Sequence, residues 1–138
     1  MTIKEVLRYN TTIKSIVDDG MEITPLVKFR LLGMLKQFEP VIENFETIRN
    51  ELIYKYGEPT VDGRYSIIMP IRENFENDDD YQNALKEYEN TINTVNGELD
   101  TIVNSEADLK LRKFKCTDIM DAGLSADYLL ELYDLIEE

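Results

Sequence analysis

The sequence predicts a mainly α protein with a minor β part: a long kinked helical hairpin, a third long helix, a short two-stranded sheet and a C-terminal helix. Two observations carry this expectation. Across residues 24–56, Leu31, Leu35, Phe38, Ile42, Phe45, Leu52 and Tyr56 recur in alternating steps of four and three, interrupted only at Arg49. That is an apolar stripe along about nine turns of helix. A second stripe of the same period runs through Tyr81, Leu85, Tyr88, Ile92, Val95, Leu99 and Ile102. Stripes this narrow are what one helix presents to another, so the chain is expected to be organised by helix pairing.

The elements follow in order. Thr2 with Glu5 has the form of a capping box, and Ile3, Val6, Ile13 and Val17 continue in heptad-like steps with Asn10 in the remaining seam position. Gly20 supplies the left-handed residue that ends this first helix. Thr24 and Pro25 open the next, the proline sitting where no amide donor is needed. A connection this short predicts an antiparallel helical hairpin. Pro40 lies inside the second helix, where it removes one backbone hydrogen bond at a cost of about 3 kcal/mol, and a kink is expected at residues 37–40. Gly57 and Pro59 end that helix, and Asp62 with Gly63 marks a turn before a strand at residues 65–69. Its expected partner is the charged strand at residues 109–115, paired across the intervening helix. Asn77 or Asp78 caps that helix, which runs to Asn96 or, tolerating Gly97, to about Asn104, the seam through Leu99 and Ile102 favouring the longer course. Ser125 caps a final helix over residues 126–136 that buries Leu129, Leu132, Tyr133 and Ile136. One domain is expected over residues 1–138, made of a helical hairpin (2–57), a strand-helix-strand segment (58–117) and an acidic C-terminal helix (118–138).

Composition narrows the function classes. The hydrophobic fraction, 43%, suits a folded domain, but 28 carboxylates against 15 Lys and Arg give a net charge of −13. Binding nucleic acid directly, or an anionic membrane surface, needs the opposite charge, so a basic protein surface is the better match. Histidine is absent, which removes the commonest general base and the commonest nitrogen metal ligand. Cys116 is the sole thiol, and a core or strand position is expected for it rather than a nucleophile's role. Asp78, Asp80 and Glu89 have part of the spacing of a calcium loop, yet Asn83 stands where that loop needs glycine. No cofactor or metal is therefore expected, and no catalytic residue stands out. The first residues do not read as a signal sequence and no apolar run approaches a membrane span, which predicts a soluble cytoplasmic protein.

Three groups of residues are candidates for contact. The stripe of Leu31, Leu35, Phe38, Ile42, Phe45, Leu52 and Tyr56 is the candidate interface, for self-association first. Glu73, Glu76, Asp78, Asp79 and Asp80 form an acidic patch whose simplest role is to supply negative charge near a helix N-terminus; the alternative is imitation of the DNA phosphate row. Lys110, Arg112, Lys113 and Lys115 reverse the local sign. They read as protection of a sheet edge, or alternatively as a contact for a phosphate-bearing ligand or an acidic patch.

Residues 49–58 (RNELIYKYGE) closing a long helix, the Asp62, Gly63 turn with its short strand, Leu85 and Tyr88 on a helix, the charged residues 109–115, and residues 123–127 (GLSAD) opening a C-terminal helix that ends LIEE together resemble a family of small uncharacterised bacteriophage proteins. The resemblance implies phage or prophage origin and a soluble helical fold with a small sheet; the expected location is the host cytoplasm, with association with the virion as the alternative. It implies no catalytic residues. The functional expectation is a non-enzymatic protein acting through protein contacts, as a virion or assembly component or an accessory factor, with itself and a basic or phage structural protein as partners. An acidic inhibitor of a host defence or nucleic-acid-binding protein, and a small-molecule-binding protein with its pocket near the cationic strand, are the alternatives.

Overall fold

A computed structural model describes residues 1–20 and 22–137. The chain is mostly helical, with a small sheet and a C-terminal helix as expected. In order come α1 (Ile3–Asp18), α2 (Pro25–Tyr56), β1 (Glu58–Pro59), β2 (Tyr65–Ser66), a 3-10 turn (Arg72–Asn74), α3 (Asp78–Val103), β3 (Phe114–Lys115), α4 (Cys116–Met120), α5 (Ala126–Glu131), a second 3-10 turn (Tyr133–Leu135) and β4 (Ile136–Glu137). They form two compact units, one of residues 1–43 with 104–138 and one of residues 44–103.

The first unit holds the main core. The Thr2 hydroxyl accepts from the Glu5 amide at 3.2 Å while the Glu5 carboxylate accepts from the Thr2 amide at 3.1 Å, which completes the capping box. That backbone donor holds the Glu5 carboxyl below its ordinary range. From this start α1 buries Val6, Tyr9, Ile13 and Ile16, steps of three and four that keep one face inward. Gly20 has φ +67° and ends the helical segment as expected. α2 begins at Pro25 and continues through Pro40 as one helix. Its buried residues here are Val27, Leu31, Met34 and Phe38, which pack with the α1 face and with Phe114, Ile119, Ala122, Leu132 and Leu135. Each such Val, Leu, Ile, Met or Phe side chain taken fully out of water contributes about 1.5–3 kcal/mol. The segment after α3 is tied to the chain start, Ile3 donating to the Ser105 carbonyl at 3.0 Å and Ala107 to the Met1 carbonyl at 2.8 Å.

The second unit has a thinner interior. Val95 is its one apolar side chain that is buried among the described residues, while Phe45, Leu52 and Tyr56 of α2 and Tyr81, Leu85, Tyr88, Ile92 and Leu99 of α3 are half-buried. α3 takes the longer of the expected courses, through Gly97 to Val103. Asn77 is its cap: the Asn77 side-chain oxygen accepts from the Asp80 amide at 2.9 Å and the Asn77 amide group donates to the Asp80 carboxylate at 3.1 Å.

Two expectations about the strands are overturned. Residues 65–69 do not pair with residues 109–115; Tyr65 and Ser66 pair antiparallel with Pro59 and Glu58, whereas Phe114 and Lys115 pair parallel with Ile136 and Glu137. The two segments fall in different units, and each finds a partner inside its own. The charged strand is also shorter than expected. Leu109 and Leu111 turn toward the core, but Arg112 and Lys113 are both exposed, so the alternation slips by one residue and the ladder begins only at Phe114. The last helix is likewise short. It stops at Glu131, the chain tightens into the 3-10 turn, and Leu132 and Leu135 become the buried pair while Tyr133 is exposed. Glu138, the end of the expected helical segment, lies outside the described residues.

Candidate functional site

The expected interface stripe divides at the unit boundary. Leu31 and Phe38 are fully buried in the first core, and Leu35 and Ile42 pack against it half-buried. This half of the stripe is filled within one chain and does not offer itself to a second copy. Phe45, Leu52 and Tyr56 lie in the other unit, half-buried.

Cys116 corrects another expectation. It is exposed, at the start of α4, and not in the core. Its side chain lines an open groove of about 780 Å³ in the first unit, with Lys113, Met120, Ala126, Leu129, Leu130, Tyr133, Asp134, Ile136 and Glu137. α4, α5 and the 3-10 turn after α5 are short, which leaves outward apolar residues uncovered on them: Met120, Leu130 and Tyr133 are 55%, 71% and 62% exposed. Of the four expected cations only Lys113 belongs to this wall; Lys110, Arg112 and Lys115 are exposed, and none of the four makes an ion pair with a described residue.

The second unit has a groove of about 360 Å³ lined by the end of α2, by residues 67–71 and by one face of α3. Several contacts shape it. The Gly57 amide donates to the Ile53 carbonyl at 2.7 Å, and a Cβ at Gly57 would stand 2.5 Å from that oxygen and 2.7 Å from the Ser66 carbonyl oxygen, so the chain passes here only as glycine. At the hairpin end, Thr60 donates from its hydroxyl to Asp62 and Gly63 has φ +81°, the expected turn. Arg72 reaches the Phe75 carbonyl at 2.9 Å, and the Phe75 ring meets Tyr81 edge-on at 5.7 Å. Phe75 shares the lining of the groove with Tyr56 and Tyr88.

The acidic patch is exposed throughout, and two of its members are engaged locally. Asp78 lies 3.6 Å from Arg72 and Asp80 belongs to the α3 cap. Glu73, Glu76 and Asp79 face solvent. Among the described residues no group of three or more Cys, Asp or Glu is placed to hold a metal ion, and no helix is long and apolar enough to cross a membrane.

Sequence reasoning missed the smaller groove and the apolar wall of the larger one; its expectation of a pocket near the cationic strand matches the larger groove only at Lys113. Met120 and Leu130 carry no periodic signal because their helices are one or two turns long, and residues 67–69 read only as the tail of a strand. The adjacency of Ile68, Met69 and Ile71 to a proline was the one available hint. Comparison of the chain with protein families, curated proteins and solved structures finds no match.

Proposed function

We propose that this chain is a non-enzymatic, phage-encoded protein that acts through protein contacts, as a virion or assembly component or an accessory factor in the host cytoplasm. The observation that supports the contact reading is the cluster of Met120, Leu130 and Tyr133, three large apolar side chains more than half exposed around one groove. Exposed apolar area gathered in one place favours burial against a partner, whereas scattered single residues do not. Phage origin has its support in the sequence pattern alone. Self-association uses this patch and not the stripe through Leu31 and Phe38, which the chain's own core buries. Affinity capture of the tagged chain from infected cells, followed by mass spectrometry, tests the reading: capsid or tail proteins are expected, and a chain recovered alone as a monomer in light scattering contradicts it.

A second reading, small-molecule binding, has one specific support. The larger groove takes Lys113 into its wall, so an apolar anion would find both a greasy surface and a counter-charge. Charge reversal by Lys113→Glu is expected to abolish binding of such an anion with the fold intact; binding that survives the change removes this reading.

A further inference from the structure

The smaller groove combines three features that point to one kind of occupant. Its walls carry the rings of Phe75 and Tyr88, the ring of Tyr56, over which the Lys55 ammonium already lies at 5.0 Å, and the aliphatic Ile68, which is about half exposed. Glu58 and Glu87 stand in the same lining, both exposed, with no ion pair to any described residue. No lysine or arginine is among the lining residues. Aromatic faces and carboxylates together recognise a cation on an apolar stem, because the ring quadrupole and the carboxylate attract the same charge. A volume of about 360 Å³ suits one or two side chains rather than a large cofactor.

The backbone beside the groove fits a peptide. The β1–β2 ladder ends at Ser66, and residues 67–70 pair with no strand of the described chain. Met69 precedes Pro70, which biases it to an extended conformation, so residues 67–69 of the lining supply backbone N–H and C=O groups that no strand of the described chain takes up. We propose that this groove seats a lysine or arginine side chain carried on an extended, otherwise apolar segment of a partner protein. The proposal rests on the contact reading and names the chemistry of the partner. A second copy is a poor source: the chain's own segment of this character, residues 109–115, has Leu109 and Leu111 packed on its core, and two chains of charge −13 repel.

The test is an NMR titration of the isotope-labelled full chain with a short peptide of alternating lysine and valine, and with its glutamate counterpart. The lysine peptide is expected to shift amides at residues 56–58, 67–71 and 84–91, and to bind more weakly as salt rises. Glu58→Gln with Glu87→Gln is expected to weaken binding about tenfold or more, while Glu73→Gln with Glu76→Gln, outside the groove, leaves it within about twofold. All four positions are exposed, so unchanged melting curves confirm that the variants fold. Shifts centred on residues 73–80, undiminished binding by the Glu58, Glu87 double variant, or equal binding of the glutamate peptide would overturn the assignment. Those results leave the contact reading standing, since it fails separately if the captured partner does not depend on Leu130 and Tyr133.

Discussion

The Tyr128 hydroxyl donates to the Asp19 carboxylate at 2.6 Å, joining α5 to the end of α1 across 109 residues of sequence. Thr12 donates to Glu131 at 2.9 Å, and the Tyr9 hydroxyl reaches Asp134 at 3.5 Å. In a chain with few cations, neutral hydroxyls serve as the donors that carboxylates need along this face. The arrangement has a pH signature. Hydrogen bonding to Asp19 raises the Tyr128 phenol above its ordinary value of 10.0, and burial raises Tyr9. A group whose value is higher in the folded state contributes stability that is complete below its unfolded value and lost as pH rises through the folded one. Urea melts are therefore expected to weaken above about pH 10, and Tyr128→Phe to lose its difference from wild type there. A constant difference from pH 8 to 11 would remove the bond from the account of stability.

Gly123 and Gly33 are expected to respond oppositely to alanine. Gly123 has φ +96° and a Cβ there would collide with the Glu22 carbonyl oxygen, beside the bond from the Thr24 amide to the Ala122 carbonyl at 3.0 Å. Gly123→Ala should cost about 2 kcal/mol or more. Gly33 sits mid-helix with open space around the new methyl, and Gly33→Ala should stabilise by about 0.5–1 kcal/mol. Chemical denaturation of the two variants distinguishes the cases, and equal shifts would contradict the local geometry.

Opposite faces of α2 should differ as sharply. Phe38 is fully buried and Phe29 is 75% exposed. Phe38→Ala is expected to cost about 3–5 kcal/mol, and Phe29→Ala to stay within about 0.5 kcal/mol. Similar losses at both sites would mean that the α2 stripe is not core.

These contrasts show what the sequence made legible. Capping at Thr2, Asn77 and Ser125 and the left-handed turns at Gly20 and Gly63 depend on neighbours within a few residues, so pattern reasoning reached them. The α2 stripe was legible as a period but not in its phase, because Met34 and Leu35 both fit an i+3 or i+4 step and the core takes Met34 more fully. Strand pairing was not legible, since the choice of Ile136 for Phe114 depends on where α4 and α5 return the chain. The larger groove was hidden for the same reason: Lys113, Met120 and Tyr133 meet only after those turns are made.

Arg30 is expected to depend on Asp118. The guanidinium lies 3.8 Å from that carboxylate, with side-chain exposures of 21% and 31%, and its Nη1 has no hydrogen-bond partner. Asp118→Ala leaves a largely covered cation without its counter-charge and should cost about 1–2 kcal/mol. Replacing both residues by Leu and Ala should recover part of that loss; a double variant worse than the sum of the singles would argue against the pairing.

Calorimetric titration of the partner captured from infected cells against wild type and against a Leu130→Asp, Tyr133→Asp variant tests contact through the exposed patch of the first unit most directly. Both positions are exposed, so the variant should keep the wild-type melting curve and lose affinity by about a hundredfold. Affinity equal to wild type in a folded variant would contradict the claim.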